Sequence, residues 1–221
     1  MTFWQKLVSG DHHRKTRLHD EKGNLVDLGG LPYAVPAFLS ALTKILLNRR
    51  PLRPMISYRA QRRIEGLLEP SWVIAEFGSG FSAPWFARRC AFLLSIEDNP
   101  VWHKRVKSLL ARNEITNVRH ELRDRTSYAS LDDYPHDFFD FILIDGSDCA
   151  ACVAAAISRL KPGGWIYLDN TDKDITTTNG DLRRAESTLI AAAHERGGTL
   201  VYYTDFSSTN FFAEQELLAR L

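Results

Sequence analysis

The stretch Glu76-Phe77-Gly78-Ser79-Gly80-Phe81-Ser82-Ala83-Pro84-Trp85-Phe86-Ala87 decides the reading of this chain. Its first two residues end an apolar run, WVIAEF (72–77), of the kind that forms a strand buried on both faces. Gly78, Gly80 and Ala83 then satisfy the spacing G-x-G-x-x-[G/A]. In that pattern the glycines let a ligand come close to the backbone, and a helix opens directly after them.

Outward from this turn, strands and helices alternate. FLLSIE (92–97), NVRHEL (117–122), FDFILID (139–145) and WIYLD (165–169) read as strands. Helices are expected from the glycine turn to about Cys90, over 100–113 behind Pro100, over 149–160 and over 182–197. Lys161-Pro162-Gly163-Gly164 reads as a stop between helix and strand. TLVYYTDF (199–206) and TNFFAEQ (209–215) read as two strands joined by a Ser-Ser turn, an antiparallel hairpin at the sheet edge. Upstream, amphipathic helices are expected over 34–48 and 56–68, and residues 1–30 read as a loosely structured, solvent-exposed basic arm. His12, His13 and His19 in that arm are either solvated or adventitious metal ligands.

The pattern predicts an α/β fold: a doubly wound, mostly parallel seven-stranded sheet with an antiparallel last strand and an N-terminal helical extension. Residues 1–55 form the basic arm and helix, and 56–221 form the sheet domain. The length of 221 residues suits one such domain, with no need of disulfides or metal for stability.

Net charge is +1, which gives no global pull toward nucleic acid. The charge is unevenly spread: residues 1–70 carry 12 Lys and Arg against 6 Asp and Glu, and residues 71–221 carry 16 against 21. A basic front on an acidic body suits an anionic substrate or surface; it is equally the mark of a solvated helical face. Cys149 and Cys152 form a C-x-x-C, but Ala-Ala between them and helix formers around them read as buried helix positions. Three cysteines fit a reducing, cytoplasmic compartment. The N-terminus carries no secretory leader, and the longest apolar stretch, VPAFLSALTKILL, is 13 residues with Lys44 inside, too short to span a bilayer.

In an open sheet of this kind, ligands bind outside the carboxyl ends of the strands. Glu97 ends the second strand, 19 residues after Gly78, where a carboxylate accepts the ribose hydroxyls of a nucleoside. Glu76, two residues before the first glycine, would repel a pyrophosphate and suits a ligand carrying an amino group and a sulfonium.

The four runs IAEFGSGFS, SIEDNP, FDFILIDGS and LKPGGWIYLDN, in that order, resemble the class I S-adenosylmethionine-dependent methyltransferases over residues 56 to 214. The upstream helix PMISYRAQRRIEGLL is similar to one that closes over the cofactor in that family. The resemblance makes 56–221 an S-adenosylmethionine-binding domain. It implies that Glu76, Gly78 and Gly80 floor the methionine portion, with Ser79 and Ser82 meeting its carboxylate. Glu97 would bind the ribose beside Asp98, Asp124 would approach the adenine with Arg125 as its neighbour, and Asp145 would face the cofactor amino group or the acceptor. Asp145, Asp169 and Asn170 also resemble the Mg²⁺ triad of catechol-type O-methyltransferases, which makes them the expected catalytic and metal-binding residues; otherwise Asp169 and Asn170 shape the substrate pocket or bond loop backbone. The departure is Asp148, which stands where those enzymes carry a lysine base.

The expected activity is methyl transfer to a small-molecule acceptor, O-methylation foremost. Tyr58, Trp85, Trp102, Tyr128, Thr171, Asp172 and Lys173 are candidate pocket residues, with Trp85 and Trp102 read as helix packing. His103 and His120 lie away from the strand ends and are not expected to be catalytic. No nucleic-acid partner is expected, and a homodimer is compatible with the sequence. The competing readings are a nicotinamide-dependent oxidoreductase on the same sheet, which leaves Glu76 unexplained, and a non-catalytic module binding through its basic front.

Overall fold

A computed structural model describes residues 13–177 and 179–221. Seven strands form one sheet: β1 (Val73–Phe77), β2 (Phe92–Glu97), β3 (Val118–Leu122), β4 (Phe139–Ile144), β5 (Leu160–Leu168), β6 (Thr199–Phe206) and β7 (Ala213–Arg220). Their order is β3-β2-β1-β4-β5-β7-β6. β3 through β5 are mutually parallel, and β7 lies antiparallel between β5 and β6. The helices are α1 (Ala34–Leu47), α2 (Tyr58–Glu65), α3 (Ala83–Ala87), α4 (Pro100–Arg112), α5 (Cys149–Arg159) and α6 (Asp181–Glu195).

Both faces of the sheet are covered, which is why its central strands read as unbroken apolar runs. On one face Ala75, Phe77, Leu94 and Ile96 pack with Val153, Ala156 and Leu189 of α5 and α6. On the other Ile74, Leu93, Phe141 and Tyr167 pack with Ile64, Phe86 and Val106 of α2, α3 and α4. The helix starts follow capping chemistry. Asn99 Oδ1 accepts from the backbone N–H groups of Val101 and Trp102 ahead of Pro100, and Ser57 Oγ accepts from Ala60 N–H at 3.0 Å. α5 is capped from a distance: Asp181, the first residue of α6, accepts from Cys149 N–H at 2.6 Å and Ala150 N–H at 3.1 Å.

Four expectations are corrected. The helix after the glycine turn ends at Ala87, short of Cys90. Lys161–Gly164 is not a stop: Leu160 already pairs with Phe139, and a bulge carries the strand on to Trp165, which pairs with Phe141. The last strand is 213–220 rather than 209–215; it makes the expected antiparallel hairpin at the sheet edge, with β6 outermost. Residues 13–30 are not a loose arm. Arg14, Asp20 and Val26 are buried, Ala213 N–H donates to Arg17 O at 2.8 Å, and Arg14 ion-pairs with Glu21 and Asp172. Part of the positive charge of the front is therefore spent on the acidic body: Lys22 pairs with Glu186, and Arg59 bridges Asp27 of the front and Asp205 of the body. His19 Nδ1 is 2.7 Å from Thr16 Oγ1; His12 lies outside the described residues.

Candidate active site

The carboxyl ends of β1, β2 and β4 surround a cavity of about 290 Å³. From the glycine turn, Gly78, Ser79, Gly80, Phe81 and Ser82 line it; from the strand ends come Glu97, Asp98 and Asp145. Met55, Trp102 and Tyr128 complete its apolar wall. Gly78 has φ +91°, and a Cβ there would lie 2.1 Å from the carbonyl oxygen of Asp145, so the turn can press against β4 only with glycine. Gly80 is different. A Cβ there would meet only Ser82, at 3.6 Å; the space beside it belongs to the cavity and to whatever fills it.

The side chains around this space are strongly acidic. Three carboxylates line the cavity and no Lys, Arg or His does. Glu97 is buried and anchored: Asn99 N–H donates to its Oε1 at 2.9 Å and Ser79 Oγ to its Oε2 at 3.3 Å. Burial still raises its pKa. Asp98 accepts from Ser147 Oγ at 2.7 Å. Behind the lining stands Glu76, fully buried on β1. Ser95 Oγ donates to its Oε1 at 2.6 Å, but Oε2 has no partner. Loss of water pushes its pKa up to about 7. An orphaned buried carboxylate oxygen is costly and calls for a donor from a ligand.

Asp145 opens onto the cavity at the end of β4, and Asp169 is buried at the end of β5. The two carboxyls lie close enough to shift each other's titration. Loss of water around the pair and the repulsion between its two carboxyls raise Asp169 well above the carboxylate range, and Asp145 is raised with it. Tyr167 Oη and Asn170 Nδ2 donate to Asp169 at 3.2 and 2.6 Å. Asn170 turns its amide nitrogen to Asp169; the two carboxyls and the Asn170 carbonyl oxygen are hard donors that fit a divalent cation in kind. Among the described residues no Lys or Arg ion-pairs with either carboxyl, and no group of three His, Cys, Asp or Glu side chains is placed to hold a metal.

Asp124 and Arg125 are exposed and are not among the cavity's lining residues. Asp124 Oδ1 is taken up by its own turn, accepting from Thr126 and Ser127 backbone and hydroxyl groups, which lowers its pKa. Trp85 packs in the core as expected. Trp102 does more than pack: its indole N–H donates to the Ser79 carbonyl at 2.5 Å, fixing the glycine turn while its ring lines the cavity. His120 Nε2 lies 3.0 Å from Ser79 Oγ, stacked at 4.1 Å on His103. Burial lowers His120 to about 4, so it is neutral and extends the chain Glu97–Ser79–His120. The sequence signal for it is register alone, His120 lying opposite Ser95 on neighbouring strands. Cys149 and Cys152 are free, buried thiols, Cys149 pushed up to about 12 by burial.

No protein-family model and no curated protein matches the sequence. Solved structures do. An O-methyltransferase from Bacillus cereus in complex with SAH is 18% identical, with a TM-score of 0.60 over 85% of this chain and 98% of that one. The O-methyltransferase TomG from Streptomyces achromogenes, involved in tomaymycin synthesis and solved with SAM, is 16% identical, with a TM-score of 0.60 over 99% and 94%. An rRNA methylase from Streptococcus thermophilus is 11% identical, with a TM-score of 0.54 over 76% and 98%. Strand order, the antiparallel β7 and these likenesses agree: the chain has the fold of the class I S-adenosylmethionine-dependent methyltransferases.

Proposed function

We propose that this protein transfers a methyl group from S-adenosylmethionine to an oxygen of a small-molecule acceptor. The observation that carries the reading is the cavity lined by three carboxylates and no base, with Glu76 orphaned behind it. At low dielectric such a site favours a ligand bearing a sulfonium and an ammonium, and repels the pyrophosphate of a nicotinamide dinucleotide. In this reading Glu97 would accept the ribose hydroxyls, and Glu76 and Asp145 would meet the cationic end. The likeness in fold to O-methyltransferases reaches more of the chain than the likeness to the rRNA methylase, which favours the small acceptor. Three free cysteines suit a cytoplasmic setting, and among the described residues no helix is long and apolar enough to cross a membrane.

The sulfonium methyl is already activated, so the protein's work is alignment and exclusion of water. Trp102 and Tyr128 supply the dry wall. Asp145, Asp169 and Asn170 would hold a Mg²⁺ ion, whose chemistry is to bind an acceptor oxygen and ease its deprotonation. The raised carboxyls of the Asp145–Asp169 pair would also serve, when ionised, as a base in their own right. Calorimetric titration with S-adenosylhomocysteine and with NADH tests the cofactor. Tight binding of the first, lost in Glu97→Ala, is the expected result; binding of NADH instead overturns the proposal. Methyl transfer that survives chelation removes the metal and leaves deprotonation to the carboxylate pair.

A further inference from the structure

α1 packs with its small residues inward and its large ones outward. Ala37 is its buried residue. Val35, Phe38, Leu39, Leu42, Ile45 and Leu46, spaced i, i+3, i+4, i+7, i+10 and i+11, form one stripe that stays between 37% and 77% exposed. A stripe of this size on a surface helix marks an interaction site. Its electrical setting is one-sided: residues 28–64 contain seven Lys and Arg and no Asp or Glu. Arg59 is committed to Asp27 and Asp205. Arg49, Arg50 and Arg53, directly beyond α1, make no ion pair among the described residues.

Beside the helix lies a second cavity of about 480 Å³, whose walls include Arg53, Arg62, Arg88 and Arg89 against the single acid Glu65. Gln61 also lines it; that residue is 7% exposed and its Oε1 has no partner. The chain on either side of α1 reaches this cavity through its lining residues. Leu52 and Arg53 follow from the C-terminus of α1, and Tyr33, ahead of its first residue, stacks on Tyr58 at 5.5 Å and accepts from Arg62 at 2.9 Å.

We propose that α1 and the arginine cavity form a docking surface for an anionic lipid bilayer. The apolar stripe lies in the boundary between headgroups and acyl chains, Arg49, Arg50 and Arg53 meet lipid phosphates, and the cavity receives a headgroup. At 14 residues the helix lies in the surface rather than spanning it. A bilayer suits this face better than a second copy of the chain. Pairing two α1 helices about a two-fold axis would bring together two surfaces on which cations outnumber acids, with only Glu65, already paired with Arg89, to set against their arginines; an anionic membrane supplies that charge. The same connection that carries these arginines ends at Met55, which lines the acidic cavity. The surface stands whether or not the methyl-transfer reading does.

Co-sedimentation of the full chain with vesicles tests it, using phosphatidylcholine alone and phosphatidylcholine mixed with phosphatidylglycerol. The protein is expected to pellet with the anionic vesicles, weakly with the neutral ones, and less in high salt. Leu39→Asp/Ile45→Asp and Arg49→Ala/Arg50→Ala/Arg53→Ala are each expected to weaken binding at least about tenfold. The arginine variant lies outside any helix or strand, so it stays informative if the apolar one misfolds by circular dichroism. No binding to anionic vesicles, equal binding to both kinds, or indifference to the arginine variant overturns the proposal. So does a dimer, seen by light scattering, that Leu39→Asp/Ile45→Asp dissociates while vesicles bind nothing; a second copy then covers α1.

Discussion

Replacing Glu76 by glutamine removes one buried charge behind the acidic cavity, with opposite consequences for stability and for binding. In the folded protein the Glu76 carboxyl keeps its proton up to about pH 7, against 4.5 in an ordinary setting. Between those values the native state binds the extra proton, so this group's contribution to stability is fullest below pH 4.5 and is lost as pH rises through 7. Integrating from pH 5 to pH 8, the wild type loses on the order of 2 to 3 kcal/mol through this one residue. Glu76→Gln does not titrate and keeps it. Glutamine can still accept from Ser95 through its Oε1, but it leaves two N–H donors unpaired where the protonated acid leaves one O–H; at pH 5 the variant is expected to be the less stable by about 1 kcal/mol. Urea unfolding followed by tryptophan fluorescence at both pH values reads the difference. The variant is expected to be the more stable protein at pH 8 and to bind S-adenosylhomocysteine more weakly, since an amide cannot pair with an ammonium group. A variant-minus-wild-type difference that is the same at both pH values would refute the buried-charge argument; unchanged binding would refute the role given to Glu76.

Gly78→Ala sets a methyl group 2.1 Å from the Asp145 carbonyl at a φ of +91°, and it is expected to cost about 3 kcal/mol or more. A melting temperature equal to wild type would show that the turn and β4 do not press together as described. Arg59→Ala leaves the fully buried Asp205 without its guanidinium and is expected to cost about 3 kcal/mol; adding Asp205→Asn should recover much of that loss in chemical unfolding, and a double variant as unstable as the single one would place the arginine's worth elsewhere.

The glycine turn, the five parallel strands and the carboxylates at their ends were legible because each is encoded locally, by an apolar run that stops at a polar residue. What escaped was encoded across long distances. Phe211 and Phe212 resemble strand residues, yet Phe211 stacks on Phe206 and Phe212 lies under the Arg14 guanidinium, 4.5 Å away. The true last strand carries Gln215 and Glu216, both buried, so its alternation of apolar and polar residues misleads. Glu216 is tolerated there because Ser57 N–H donates to it at 2.9 Å from another part of the chain. Residues 13–30 look like a solvated arm for the same reason: the acids that hold Arg14 and Lys22 include Asp172 and Glu186, more than a hundred residues on. Asp124 shows the limit of position alone, since a strand-end carboxylate can spend itself on its own turn.

The placement of β7 between β5 and β6 has a consequence for how the chain assembles. β6 has no neighbour except β7, and β7 is the last strand to leave the ribosome. Until residues 213–220 emerge, β5 presents an open hydrogen-bonding edge while β6, already made, has nowhere to pair. The final insertion threads one strand between two that wait for it, joining Trp165–Leu168 on one side and Thr199–Phe206 on the other. A chain lacking residues 213–220 therefore exposes an edge prone to pairing with other chains.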